Sequence, residues 1–366
     1  MAIDRSVPLV RANGLGPLPA VLEQRAGERA LWSTFEQEGL PVAVLGAPQT
    51  PVPLGSMIAV FERCARLLGD RTFGVDVGFE MAKAWGYGVW GMYGAAAPTL
   101  GQAIERYCRT FRAHAVSGRL ELVQRGVHQV WRCVGPPFSL PAIQHADHLI
   151  GPMILIAREY LGSRWTPKWI EVSYPRDADA HLLEDRLQIP IRYGHGGTGL
   201  AFAAEDLLAP RVRGPAKGSD VVTLREVVAD LVLSRASEPA RSVSAIVALR
   251  LLDGQTDIDG TARMAGASVR HLQRMLGQEG YTYREVIDAA RRARALSLLR
   301  ESERPILEVA MLLGYEDHAS FSRAFRRWMG CTPSEFRAAH GAGREPLIGA
   351  PEGPEEASAA EAGFGS

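Results

Sequence analysis

The sequence predicts an α+β amino-terminal domain followed by an all-α carboxy-terminal domain with two helix-turn-helix units joined by a long helix. Three observations predict it. Strand-like alternation is confined to the first two hundred residues, a Pro/Gly-rich basic segment divides the chain at 208–219, and a helical grammar appears twice after it. The expected division is 1–207, a linker at 208–219, a helical domain at 220–342, and a tail at 343–366. That tail is Gly, Ala, Pro and Glu with little large apolar content, so it cannot offset the entropy of ordering.

In the first domain Leu54, Met57, Ile58, Phe61, Ala65 and Leu68 recur at helical spacing and stop at Gly69. Thr99 reads as the N-cap of a second amphipathic helix carrying Leu100, Ile104, Tyr107 and Phe111. Arg119 to Val123 alternates, a turn at Gln124 to Gly126 follows, and Val127 to Val134 returns as the other strand of a hairpin. Ile143 to Leu161 reads as one long helix ending at Gly162. Ile170 to Val172 and Gly199 to Phe202 are further strands, so the sheet is expected to be mainly antiparallel.

After the divide the strand signals vanish and the periodicity stays helical through Phe336. Ala262-Arg-Met-Ala-Gly266 precedes Ser268 to Leu276, and Ala310-Met-Leu-Leu-Gly314 precedes Asp317 to Phe325. In both copies an alanine permits close helix crossing, a glycine four residues later makes the turn, and a Ser or Asp caps the next helix. With Val269, Leu272, Met275 and Leu276 inward, Arg270, His271, Gln273 and Arg274 point out. With Phe321, Phe325 and Trp328 inward, the outward set is His318, Ser320, Ser322, Arg323, Arg326 and Arg327. Arg and Gln pair bidentately with guanine and adenine edges, while Ser and His bond bases or phosphates. Arg274 and Arg323 are 49 residues apart, and the helical run Tyr283 to Arg300 between them would be about 27 Å long. Such a rod sets two reading helices near the one-turn spacing of DNA, about 34 Å. Arg241 to Arg337 holds fifteen arginines, no lysine and twelve acidic residues. That small surplus suits a sequence reader better than a nonspecific coat. The bland alternative is a packing domain whose arginines are merely solvated.

Residues Val243 to Arg337 resemble the DNA-binding domain of the arabinose-operon activator family. The segments Gly314 to Phe325 and Gly330 to Arg337 are close to its signature, and Arg291, Ala295, Leu298 and Leu299 fit its linker helix. By that resemblance Arg270, Gln273 and Arg274 fall at base-reading positions of the first unit, and His318, Ala319, Ser320, Ser322 and Arg323 at those of the second. Ala319 stands where a polar residue is often found and offers only an apolar contact, which implies looser readout there. The first two hundred residues are similar to the amino-terminal half of ornithine-utilisation-type regulators, through Gly39 to Val42, Leu67 to Asp70, Pro98 to Leu100, Leu161-Gly162 with Trp165 and Pro167, and Gln188 to Ile191. That module is labelled arabinose-binding by analogy and differs from the β-barrel of the arabinose activator itself. The resemblance implies a ligand-responsive transcriptional regulator, an activator rather than a repressor. Its expected partners are a double-stranded DNA operator, a small-molecule effector, RNA polymerase, and a second copy of the chain if the module dimerises. The alternative is an amino-terminal module for dimerisation or interaction alone.

Within that half, Trp85, Tyr87, Trp90 and Tyr93 alternate with glycines that admit close approach of a ligand or of backbone. They wall either an apolar pocket or an aromatic core. His145, Asp147 and His148 share one predicted helix, where packing and capping roles compete with a metal site that lacks further ligands. Gly194 to Gly199 superficially resembles a phosphate loop without its Lys-Ser/Thr ending and reads as a turn. No nucleophile with a base and no paired acid/base constellation is evident, so no enzyme and no cofactor is expected. A DNA-tethered alkyl-transfer enzyme would want an activated cysteine, and Cys64, Cys108 and Cys133 lack the spacing.

At 366 residues and roughly 150 per domain the chain has room for two domains, and 46% apolar residues suffice for their cores. Its balanced charge, 41 basic against 41 acidic residues, argues against binding through total charge, so a DNA site must be local. Four scattered cysteines indicate neither a disulfide framework nor a zinc cluster. No secretory signal and no membrane span is seen, so a cytoplasmic location is expected.

Overall fold

The computed structural model describes residues 7–83, 87–115, 117–136, 142–212 and 238–340. Trp85, residues 213–219 of the expected linker and the expected tail lie outside the described residues. The chain opens with β1 (Leu9–Arg11), then α1 (Leu18–Ala26) and α2 (Glu28–Gln37). β2 (Pro51–Pro53) pairs antiparallel with β1, Val10 opposite Val52. α3 (Leu54–Leu68) buries Met57, Ile58, Phe61 and Ala65, as its spacing requires, and closes on left-handed Gly69. α4 (Phe73–Lys83) and α5 (Gly88–Ala95) precede α6 (Leu100–Thr110), where Thr99 Oγ1 accepts from Gln102 N at 3.4 Å.

β3 (Arg119–Arg125) and β4 (His128–Val134) form the hairpin, with a turn at Gly126 and Val127, one residue later than the sequence suggested. After α7 (Ile143–His148) and α8 (Ile150–Leu161) come β5 (Ile170–Glu171), α9 (Ala180–Leu187), β6 (Ile191–Arg192) and β7 (Thr198–Ala203). The sheet order is β3-β4-β7-β5-β6, antiparallel except for β5 with β6. The expected single helix over Ile143 to Leu161 is broken at Leu149. Pro152 explains the break: it has no N–H to give the carbonyl of His148, and its ring crowds that group. The first domain also runs past residue 207. Ala209 accepts from Leu100 N at 3.1 Å, and Val212 N donates to Glu159 O at 2.8 Å.

The helical domain contains α10 (Ala240–Arg250), α11 (Ile258–Met264), α12 (Val269–Gln278), α13 (Tyr283–Glu301), α14 (Ile306–Leu312), α15 (His318–Met329) and α16 (Pro333–His340). It has two cores. Val243, Val247, Leu272, Leu276, Val286 and Ala290 fill the first; Ala295, Leu299, Val309, Phe321, Phe325 and Phe336 fill the second. α13 threads both. α10 carries apolar residues on several sides, and of its residues only Ala248 is fully exposed. One side joins the first of these cores, while Ala245 and Ile246 meet Val7 and Leu9, and Leu249 belongs to the core of the amino-terminal domain. Among the described residues no helix is long and apolar enough to cross a membrane.

Candidate DNA-reading helices and a candidate ligand cavity

The two helix-turn-helix units are built as their sequences require. Gly266 and Gly314 both stand at positive φ, 64° and 71°, where a side chain would strain the turn. Ala262 and Ala310 are buried at the crossing. Ser268 Oγ accepts from His271 N at 3.2 Å, and Asp317 Oδ1 from Ser320 N at 2.6 Å, so each second helix begins at the expected cap. A capping box at Thr282 and Glu285 starts the connecting helix. Near its middle Arg291 donates to the carbonyls of Leu313 (2.8 Å) and Gly314 (2.9 Å) and lies over the Tyr315 ring, fixing the second turn to the rod. The first unit is held by Arg250, itself buried, which bonds Asp257 and Thr261.

On α12, Arg270, Gln273 and Arg274 are exposed and His271 half-buried, with Arg274 Nη2 at 2.9 Å from His271 Nδ1. On α15, His318, Ala319, Arg323 and Arg327 are exposed, Ser320 and Ser322 half-buried. Arg323 donates to Ser320 Oγ (3.0 Å), and Arg327 pairs with Asp288 of the rod (2.9 Å). The arrangement brings the two side-chain sets onto separate exposed helix faces of one chain. Nineteen residues of α13 give about 28 Å of rod between the units.

The amino-terminal domain encloses a cavity of about 670 Å³. Its position follows from close helix packing. A Cβ on Gly74 would stand 2.2 Å from the carbonyl oxygen of Gln144, and one on Gly78 2.2 Å from that of His148, so α4 and α7 meet backbone to backbone. That contact sets the position of His145 and His148, both of which line the cavity. Asp147, between them, is buried elsewhere, paired with Arg71 at 2.6 Å and accepting from the Tyr174 hydroxyl. Burial pushes its carboxyl up to about 6 although Arg71 pulls the other way. Among the described residues no group of three His, Cys, Asp or Glu is placed to hold a metal ion.

Tyr87 and Trp90 line the cavity; Tyr93 does not, and its ring is covered by Arg106 at 4.8 Å. Trp90 is 7% exposed, stacks on His114 at 4.8 Å and donates Nε1 to Thr110 Oγ1 at 3.0 Å. Gly94 makes room for protein rather than for a guest. A Cβ on Gly94 would lie 2.2 Å from the Tyr107 ring, and Gly91 O accepts from the Tyr107 hydroxyl at 2.8 Å. Val10, His114, Trp131 and His195 also line the cavity and carry no pattern in the sequence that singles them out. Burial lowers the imidazoles of His114 and His145 to about 3 and that of His148 to about 4, so all three are neutral.

A family model described as the arabinose-binding domain of AraC transcription regulator, N-term, matches residues 31–211, and a helix-turn-helix domain model matches residues 261–339. The chain is 26% identical to the ornithine utilization regulator of Pseudomonas aeruginosa, over 91% of its own length and 96% of that protein. Over 89 residues it is 40% identical to the regulatory protein SoxS of Escherichia coli, covering 24% of this chain and 81% of that one. Among solved structures it is similar to the transcriptional regulator CdpR from Pseudomonas aeruginosa, with a TM-score of 0.39 at 24% identity over 83% of this chain and 98% of the other.

Proposed function

The chain belongs to the AraC family of DNA-binding transcriptional regulators, and on that premise we propose that a small molecule held in its amino-terminal cavity controls how its two helix-turn-helix units act at an operator. One observation carries the reading. The strand β1 sends Val10 into the cavity wall and Leu9 against α10 of the DNA-binding domain, so the cavity and that domain share one structural element.

In this reading Arg270, Gln273 and Arg274 read one half-site and His318, Ser320, Ser322 and Arg323 the other, with His271 and Arg327 on phosphates and Ala319 against a thymine methyl. A single chain then spans two successive major grooves, and a second copy is not needed for the two half-sites. The regulator acts as an activator, with RNA polymerase as its protein partner.

The test is an operator selected by the purified protein from random duplexes. Protection is expected over two half-sites 10 to 10.5 base pairs apart, about one helical turn, and a five-base-pair insertion between them should abolish binding. A reporter driven by that operator, screened with small molecules, should rise with effector in the wild type. A reporter that no compound moves would defeat the sensor half of the reading and leave the DNA half intact.

A further inference from the structure

The lining of the cavity says what kind of molecule it accepts. Among the described residues that form its wall there is no Lys, Arg, Asp or Glu. Leu54, Met57, Ile58, Phe111, Met153 and Ile156 give it an aliphatic and aromatic surface. A carboxylate or ammonium taken into such a place would lose its hydration without a countercharge. Glu171 stands behind His195, Oε2 to Nδ1 3.7 Å, and does not itself line the cavity.

Beside the imidazoles of His114, His145 and His148 the wall holds Ser117, Ser173, Tyr174, His195 and Thr198, and of all these only His114 and His148 show a buried side-chain polar atom without a partner among the described residues. His148 Nδ1 lies 3.1 Å from the carbonyl oxygen of His145, which can only accept, so Nδ1 carries the proton. In a neutral ring Nε2 is then an acceptor, and this buried atom has no partner among the described residues. His114 Nδ1 is likewise unpartnered. Buried polar atoms are satisfied in the great majority of cases, and an orphan calls for a partner that the protein does not supply.

We infer that the effector is an uncharged, mainly apolar molecule with one hydrogen-bond-donating group, such as a hydroxyl, that is received by the imidazole cluster of His114, His145 and His148. The inference rests on the reading of this domain as a sensor and names the chemistry of its ligand. A volume of about 670 Å³ is within the range of sites for single drug-sized molecules, about 300 to 1,000 Å³. With few unpartnered polar atoms the wall suits an arabinose-like sugar poorly, and with no charged side chain it suits a zwitterionic amino acid such as ornithine poorly.

The experiment uses the full chain and reads two signals, melting temperature and tryptophan fluorescence, since Trp90 and Trp131 lie in the wall. The probes are decan-1-ol, decanoate, decane, L-arabinose and L-ornithine at pH 8. Decan-1-ol should bind saturably and raise the melting temperature, decanoate at least tenfold more weakly, and arabinose and ornithine not at all at millimolar concentration. His148→Phe and His145→Phe should each weaken decan-1-ol about tenfold and leave decane within twofold. The phenyl ring keeps the aromatic packing against Phe61, so loss for the alcohol alone separates the acceptor from the fold. Failure of decan-1-ol to bind, decanoate as tight as the alcohol, or equal loss of alcohol and alkane in both variants overturns the inference. Binding of arabinose or ornithine also overturns it, while leaving the sensor reading in place; that reading fails separately, in the operator-linked reporter.

Discussion

Leu9 and Val10, consecutive in one three-residue strand, are buried on opposite sides: Leu9 with Ala245 and Ile246 of the helical domain, Val10 in the wall of the amino-terminal cavity. The strand is fixed at both ends of this relay. Val10 sits opposite Val52 in β2, and Val7 and Leu9 pack with Ala245 and Ile246, residues more than 230 positions later in the sequence. An occupant that presses on Val10 therefore acts on a strand whose other face is part of the DNA-binding domain.

Leu9→Ala should uncouple the domains. Removing a buried leucine costs about 2 to 5 kcal/mol, here drawn from the interface rather than from either reading helix. Calorimetry should show one transition in the wild type and two in the variant, while operator affinity without effector stays within about threefold. A variant that keeps a single transition and a full effector response would show that β1 does not carry the coupling.

A fragment of residues 238–340 should fold and bind the selected operator, because both of its cores are made of its own side chains. It should also self-associate, since Ala245, Ile246 and Leu249 lose their cover when the amino-terminal domain is removed. Adding Ile246→Ser should return it to a monomer in size-exclusion chromatography. An unfolded circular dichroism spectrum would mean that the helical domain depends on its neighbour for more than solubility.

Arg274→Ala is expected to cost about 1 to 3 kcal/mol at the selected operator and to relax one base position. The side chain is exposed and meets His271 on its own helix, so the melting temperature should not move. Arg327→Ala should instead weaken all duplexes about equally and flatten the salt dependence. It also breaks a surface pair with Asp288, which contributes little to stability. Base-specific loss on Arg327→Ala, with uniform loss on Arg274→Ala, would exchange the two roles.

Acid should destabilise the amino-terminal domain before the helical one. His114, His145 and His148 titrate at about 3 to 4 in the fold against 6.5 when free. Folded rings thus bind fewer protons than unfolded ones between those limits, and stability is complete above about 6.5 and falls as pH drops toward 4. Each contributes at most about 1.4 kcal/mol per pH unit. Asp147, raised to about 6 from 3.8, works in the opposite sense, because its folded carboxyl is the readier to take a proton. Glu62, whose carboxyl is likewise raised by burial, works with Asp147, and the three imidazoles outnumber the two, so the net slope keeps their sign. Melting curves of the wild type and of His114→Phe from pH 7.5 to 4.5 check it, and a wild type whose melting temperature is flat across that range refutes it.

The helical domain was legible because its signals are local. A cap at Ser268 or Asp317, a turn glycine at Gly266 or Gly314 and an apolar face on α12 or α15 are each decided within a dozen residues. The same holds for α3 and the β3–β4 hairpin. The broken helix at Leu149 was marked by Pro152, whose effect on His148 outweighs the apolar spacing on either side. α10 also carried a sign, apolar residues on several faces of Ala240 to Arg250, which points to burial between two bodies. The cavity carried none. Val10, His114, Trp131 and His195 come from distant parts of the chain and meet only after the helices pack. The segment of Trp90 stands out through a glycine-aromatic alternation in which Gly94 makes room for the Tyr107 ring.

Trp90 belongs to the core and to the cavity wall at once, and the two roles can be separated. Its ring touches Tyr87, Tyr107, Phe111 and His114, so Trp90→Ala should cost about 3 to 5 kcal/mol of stability. A fall in soluble protein from that variant alone would say nothing of ligand. Trp90→Phe keeps an aromatic plane against His114 and gives up the Nε1 bond to Thr110, a loss of about 0.5 to 1.5 kcal/mol. This variant should fold and bind the operator as the wild type does. The shorter ring enlarges the cavity beside His114, so its effector dose-response should shift by about tenfold or more. A Phe variant with wild-type dose-response, next to an Ala variant that is merely unstable, would make Trp90 core alone; an Ala variant unchanged in both melting temperature and effector affinity would exclude both roles.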